Sequence, residues 1–136
     1  MENIDKFDKY SSIQKLLCRL YEGNEFPNDK TAIIVEGKKD KLALEELHVN
    51  LPIFECARDK YKLVETLAKH KYTKAILLLD LDKNGNRLAS ELSEMLLAQG
   101  IKPNTYYRKL VGKFLKLKYF EEMQTKIAKF NEYTMR

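Results

Sequence analysis

The stretch Ala75-Ile76-Leu77-Leu78-Leu79-Asp80-Leu81-Asp82-Lys83-Asn84-Gly85 decides the fold. Five aliphatic residues in succession leave no polar face, which is the pattern of a strand covered on both sides, as in the middle of a parallel sheet. An acid closes the run, and Asp82 to Asn86 supply the Asp, Asn and Gly that turn a chain. Beyond the turn, Arg87 to Gln99 place Leu88, Leu92, Met95 and Leu96 on one helical face, and Gly100 stands where a helix-ending glycine belongs.

Towards the N-terminus, Thr31 to Glu36 is a second short run, rich in β-branched residues, that suits a buried strand and stops at Gly37. Lys38 to Leu47 reads as a helix with Leu44 and Leu47 inward, Ile53 to Cys56 as a weak strand after Pro52, and Asp59 to Lys71 as a helix carrying Val64, Leu67 and Ala68. Earlier still, residues 5 to 21 repeat Tyr10, Ile13, Leu16, Leu17 and Leu20 at helical spacing, and Gly23, Pro27 and Asn28 make a polar connection. Towards the C-terminus a strand is expected at about Asn104 to Arg108, after Pro103. A helical region from Lys109 to Phe130 follows, with Leu110, Phe114 and Leu117 on one face and Lys109, Lys113 and Lys116 on the stripe beside it. Strands alternating with helices predict an α/β fold: a mostly parallel sheet of about four strands, covered on both faces, with chemistry at the carboxyl ends of its strands.

A chain of 136 residues, 44% hydrophobic and 33% charged, suits a single domain over 1–136 and is not the composition of a disordered chain. Its longest aliphatic run, Ala75 to Leu79, is too short to span a bilayer, and Met1 to Asp5 lacks the basic and apolar regions of a signal peptide. Cys18 and Cys56 have no zinc-type neighbours and read as small buried hydrophobes, which fits a reducing cytosol. His48 and His70 fall at a loop and a helix end and read as surface residues. The charge is unevenly spread: residues 1–100 hold 16 basic and 17 acidic side chains, residues 101–136 hold 9 and 3. A basic end is what a polyanion partner requires, since each Lys or Arg that neutralises a phosphate releases a counterion; a solvated Lys-rich helix has the same composition.

Two predicted strands end in acid. Glu36 closes the first, Asp80 closes the decisive one, and Asp82 lies two residues on, so strand alternation points Asp80 and Asp82 the same way. If those strands are neighbours, three carboxylates converge. Gly37 and Gly85 let the backbone bend away and leave space for a phosphate or hydrated ion. Clustered carboxylates raise one another's pKa unless a cation sits among them, and an all-oxygen site with open positions suits Mg²⁺ or Mn²⁺. Such a cluster is a candidate site for metal-assisted phosphoryl chemistry. Asp80 to Gly85 with Glu91 also satisfies the calcium-loop pattern of an EF-hand, but a strand stands where that motif needs an entering helix, and Arg87 occupies a position usually held by an aliphatic residue. A phosphatase-type Asp-x-Asp, in which the first Asp attacks phosphate, leaves too little chain for the rest of its site.

Val35-Glu36-Gly37-Lys38-Lys39-Asp40, followed some forty residues later by Leu79-Asp80-Leu81-Asp82-Lys83-Asn84-Gly85-Asn86-Arg87, resembles the Toprim domain of topoisomerases, bacterial-type primases, certain nucleases and the bacterial maturase of 5S ribosomal RNA. The Glu-Gly-Lys-x-Asp form looks most like the maturase and the small stand-alone Toprim proteins, and the resemblance covers about Thr31 to Arg108. It implies a Rossmann-like fold in which Glu36 acts as general acid or base while Asp80 and Asp82, with Glu36 nearby, hold Mg²⁺ or Mn²⁺. Lys38 and Asp40 match the extension of the first motif, where the Lys could meet a phosphate and the Asp could orient it or help bind metal; a solvated helix start and a first-turn acid are the plainer readings. Arg87 and Arg108, at a helix start and a strand end, are candidate phosphate contacts or surface residues.

The chain lacks room for the tyrosine-bearing domain of a topoisomerase, for the flanking domains of a primase, or for the further substrate-binding part of the maturase. One expected function is a Mg²⁺-dependent nuclease or related phosphotransferase acting on RNA or DNA, in RNA processing or DNA repair. The alternative is a non-catalytic nucleic-acid or ribonucleoprotein module, alone, as a homodimer or with a protein partner, in which Lys109, Lys113, Lys116 and Lys118 grip phosphates. A small-molecule phosphohydrolase is a third class, since carboxylates at strand ends serve many phosphate chemistries. Tyr106, Tyr107 and Tyr119 are candidates to stack on bases or to pack at the core boundary.

Overall fold

A computed structural model describes residues 14–16, 18, 20, 22–24, 26–46 and 48–109. Four strands, β1 (Thr31–Val35), β2 (Ile53–Glu55), β3 (Lys74–Leu77) and β4 (Lys102–Asn104), alternate with helices α1 (Lys38–Glu46), α2 (Lys60–Lys69) and α3 (Lys83–Ala98). All neighbouring strands are parallel, in the order β2-β1-β3-β4, with Ile33 opposite Ile53, Ile34 opposite Leu77 and Ile76 opposite Asn104. The predicted α/β fold is thus the observed one, and the two acid-ended strands are the central pair. Among the described residues no helix is long and apolar enough to cross a membrane.

Strand alternation divides the core. Ala32 and Ile34 of β1, Ala75 and Leu77 of β3, and Leu79 just beyond pack with Leu63, Val64 and Leu67 of α2 and Ala89, Leu92 and Leu96 of α3. The opposite face of the sheet carries Ile33, Val35, Ile76 and Leu78, all buried, while Leu16, Leu20, Ala43 and Leu44 are buried outside the first cluster. Apolar residues on both faces of β1 and β3 are what the unbroken aliphatic runs predict.

Element boundaries moved where side chains took over from the backbone. The loop expected at Asp82 to Asn86 is instead the start of α3: Asp82 is its N-cap and accepts from the Gly85 N–H at 2.7 Å. Asp59 caps α2 likewise, accepting from the Lys62 N–H at 3.0 Å. The last strand lies earlier than the expected Asn104 to Arg108. It runs over Lys102–Asn104, and residues 106–109 form a helical turn whose Tyr107 N–H donates to Asn104 Oδ1 at 3.2 Å. Pro103 lies within β4, which is tolerated because β4 is an edge strand. Gly100, at φ 76°, ends α3 as expected of a left-handed residue after a helix. Cys18 is exposed, contrary to expectation, and Cys56 is buried; apolar spacing alone does not fix which residues at the edge of a helix stripe are covered. Of the N-terminal helix expected over 5–21, residues 14–16, 18 and 20 are described and are helical, and the Asn50 N–H donates to the Leu20 carbonyl at 2.5 Å. Almost all of the C-terminal region expected over 109–130 lies outside the described residues.

Candidate metal and phosphate site

Because β1 and β3 are adjacent and parallel, their carboxyl ends bring Glu36 and Asp80 to one edge of the sheet, with Asp82 at the mouth of α3. Glu36 is the electrostatic centre of this group. Burial pushes its carboxyl above the usual 4.5, and the neighbouring Asp80 and then Asp82 push it further, with Asp40 contributing less; a backbone hydrogen bond at Asp80 works the other way. Glu36 Oε1 is buried and has no hydrogen-bond partner. A buried acceptor left unmet is unfavourable, so it marks a place where a ligand would be welcome.

Gly85 makes that place possible. A Cβ built on it would lie 1.8 Å from the Asp80 carbonyl oxygen and 3.0 Å from Glu36 Oε1, so only glycine lets α3 start this close to both acids. Gly37 has no such restriction, with nothing within 4 Å of a Cβ. A cleft of about 360 Å³ opens here, lined by Glu36, Gly37, Lys38, Lys39, Asp40, Ala57 and Asp80. Lys38 stands exposed at its rim, where an anion would be met.

Asp40 is buried, and its Oδ2 accepts from the Gly37 N–H at 3.1 Å. That is the reach-back bond of a helix-start box, and it locks the turn that follows Glu36. Arg87 is tied along α3, donating to Glu91 Oε1 at 3.2 Å and Asn84 Oδ1 at 2.8 Å, while Lys60 from α2 also binds Glu91. Lys109 is exposed; Lys113, Lys116, Lys118 and Tyr119 lie outside the described residues. Tyr106 is exposed and its ring leans on Tyr107, with centroids 5.9 Å apart. His48 and His70 are exposed, as expected.

Arg108 departs most from expectation. It sits in the turn after β4, not at a strand end, and it is no surface residue, with 3% exposure. Its Nε donates to the Leu79 carbonyl at 2.6 Å, and one terminal nitrogen donates to the Asp80 carbonyl at 2.5 Å and to Asn86 Oδ1 at 2.7 Å. Sequence reasoning singled out Arg108 but read Asn86 only as a member of the turn and the second motif, with no role of its own. The available signal was an arginine, with its forked donors, in a terminal segment served mostly by lysines.

Among the described residues no group of three or more His, Cys, Asp or Glu side chains is drawn together as a ready metal cage. The physical reason is visible at Asp82, where one carboxylate oxygen is turned to the helix start. The donor set nevertheless suits a hard divalent ion: carboxylates, one buried orphan oxygen, and a space kept open by Gly85.

A parallel sheet that gathers acids at the carboxyl ends of its central strands, beside a glycine-walled opening, defines a class of α/β proteins built for phosphate chemistry. The Toprim domain model matches residues 31–132, extending past Arg108, and the chain belongs to the Toprim family. Membership carries a metal-binding, nucleic-acid-related role. The chain is similar to the UPF0292 protein of Methanocaldococcus jannaschii, 34% identical over 102 residues that cover 74% of this chain and 77% of that one. It is also similar to the UPF0292 protein of Methanosarcina acetivorans, 32% identical over 126 residues, covering 90% and 84%. A solved structure of a protein from Aquifex aeolicus superposes with a TM-score of 0.61 at 31% identity, covering 68% of this chain and 84% of that one.

Proposed function

We propose that the protein is a divalent-metal-dependent phosphotransferase acting on nucleic acid, most simply a nuclease for RNA or DNA. The observation that supports this best is the unpartnered, buried Oε1 of Glu36, in the field of Asp80 and Asp82 and packed close to Gly85. In this reading Asp80 and Asp82 hold Mg²⁺ or Mn²⁺, with Glu36 at the same edge of the sheet and in their field. The ion, when bound, supplies charge for the phosphoryl oxygens and acidifies a coordinated water. Glu36, its carboxyl raised above the ordinary range by burial and by its acidic neighbours, is suited to take and return a proton. Lys38 at the cleft rim offers a cation to the phosphate, and Gly37 leaves room for the strand to approach.

The second reading is a binding module that keeps a metal site without cutting. It draws support from the commitment of one Asp82 oxygen to the start of α3. Incubating the protein with labelled single- and double-stranded RNA and DNA, with Mg²⁺, Mn²⁺ or EDTA, separates the two. Under the first reading, cleavage is metal-dependent, Asp80→Ala abolishes it, and Glu36→Gln lowers it by about 10² to 10⁴ while largely sparing binding. Salt-sensitive retention of intact substrate under all conditions would overturn the nuclease reading.

A further inference from the structure

The carbonyls of Leu79 and Asp80 lie past Leu77, the last residue of β3, where the sheet ladder no longer holds them. Arg108 holds them instead. Its Nε takes the Leu79 oxygen, and one terminal nitrogen takes the Asp80 oxygen together with Asn86 Oδ1 from the first turns of α3. Burying a guanidinium is unfavourable unless its donors are met, and here they are met by the backbone leading into the acidic edge. On its other side the Asp80 carbonyl is wedged against Gly85, where even a methyl group would stand 1.8 Å away. The Asp80 peptide is therefore boxed between the Arg108 fork and the start of α3. The turn that presents Arg108 is itself fixed, since Asn104 Oδ1 accepts from the Tyr107 N–H and the Lys109 N–H reaches the Thr105 carbonyl at 3.4 Å.

We infer that Arg108 is a positioning residue for the metal-holding carboxylates: its fork, braced by Asn86, sets the backbone from which Asp80 and Asp82 project and so sets the affinity of the site for a divalent ion. The inference rests on the metal-site reading above. The fork matters more than the charge, because its hydrogen bonds go to carbonyl and amide oxygens in three places that a lysine's single nitrogen cannot span. Partners that orient metal ligands commonly carry one to two orders of magnitude of metal affinity, and Arg108 acts in that way one bond further out, through the main chain.

The test uses the full chain and four variants, Arg108→Lys, Arg108→Gln, Asn86→Ala and Asp80→Ala, each first shown by circular dichroism to be folded at the working temperature. Mn²⁺ alone is the probe, followed by the electron paramagnetic resonance of the free ion, and hydrogen exchange read by mass spectrometry reports on residues 79–86. Arg108→Lys is expected to weaken Mn²⁺ binding about tenfold or more, nearly as much as Arg108→Gln, with exchange in 79–86 rising and β1 and α2 unchanged. Asn86→Ala, which removes one exposed arm of the fork, is expected to give a smaller loss of the same kind and keeps the inference testable if Arg108→Gln fails to fold. Unchanged affinity in Arg108→Lys, with Asp80→Ala abolishing binding, would reduce Arg108 to a structural brace and overturn the positioning role. Unchanged exchange in 79–86 would overturn the clamp itself. If the parent binds no Mn²⁺, or binds it equally well with Asp80→Ala, the metal-site reading fails and takes the positioning role with it, while the exchange data still decide whether the clamp exists.

Discussion

Replacing Gly85 by alanine sets two effects of opposite sign against each other, and the structure decides between them. Gly85 lies in the first turn of α3 with a backbone that any residue can adopt, so intrinsic helix preference favours alanine by up to about 1 kcal/mol. Packing opposes it. The new Cβ would stand 1.8 Å from the Asp80 oxygen and 2.8 Å from the Asp80 carbonyl carbon, against an ordinary contact of 3.4–4 Å. Both atoms are backbone, so no rotamer change relieves the clash; the peptide must move by well over an ångström, or α3 must lift. Overpacking of this kind costs about 1–3 kcal/mol. Moving the carbonyl also breaks its bond to Arg108, and a hydrogen bond to a charged group contributes about 1.5–3 kcal/mol. The net expectation is a loss of about 1.5–5 kcal/mol after the helix gain is subtracted. Urea unfolding in EDTA measures it: with a slope of about 2 kcal/mol/M the midpoint falls by roughly 1–2.5 M. Gly37→Ala is the control, since nothing lies within 4 Å of its Cβ, and it should stay within about 1 kcal/mol of the parent. A Gly85→Ala protein as stable as the parent would refute the boxed-carbonyl account.

Three other outcomes follow from the site and its surroundings. Cys56 is buried and its thiol is pushed up to about 11, by burial first and by Glu36 second, whereas Cys18 is exposed; one thiol should react rapidly with a disulfide reagent at neutral pH and the second only on unfolding, and two fast thiols would contradict the burial of Cys56. Asp82→Asn keeps an oxygen for the Gly85 N–H and should lose metal affinity with little change in unfolding midpoint, while Asp82→Ala should also lose about 0.5–2 kcal/mol of stability; equal stability in the two variants would deny the cap. Glu36→Gln should be more stable than the parent in EDTA by a margin that grows with pH: a carboxyl raised above 4.5 in the fold contributes its full stability below that value and loses it as pH rises through the folded value, and glutamine has nothing to lose. Unfolding midpoints between about pH 4 and 8 check this, and a margin independent of pH would remove the like-charge account.

The parts of this molecule that were legible in the sequence are those governed by local pattern. Continuous aliphatic runs announced β1 and β3, because a strand buried on both faces has no other composition, and the acids closing them announced the site. What could not be read was side-chain commitment. Asp82-Lys83-Asn84-Gly85 has turn composition, yet it forms the N-cap and first turn of α3, since Asp serves equally as a turn former and as a cap. Asn104-Thr105-Tyr106-Tyr107-Arg108 reads as a strand by its aromatic content, yet β4 ends at Asn104, whose side chain starts a helical turn. Asn86 stands in the second motif but its role was not legible there, because that role exists only when Arg108, 22 residues away, folds against it.

The same commitments explain how four acids survive at one edge of a small sheet. Glu36, Asp40, Asp80 and Asp82 gather where α1 and α3 both begin, and the start of a helix presents unmet N–H groups and a partial positive charge. Asp40 and Asp82 each spend an oxygen on those N–H groups, at Gly37 and Gly85. Arg108 adds a positive charge in the field of Glu36, Asp82 and Asp80; burial, the larger effect, lowers its hold on the proton, and those three carboxylates oppose it. Two helix starts and one guanidinium therefore oppose the repulsion, and Glu36, with its raised carboxyl and orphan oxygen, still records it beside the effect of its own burial. A divalent ion bound at this edge would relieve that conflict at Glu36, so its binding should act on the chemistry of that residue.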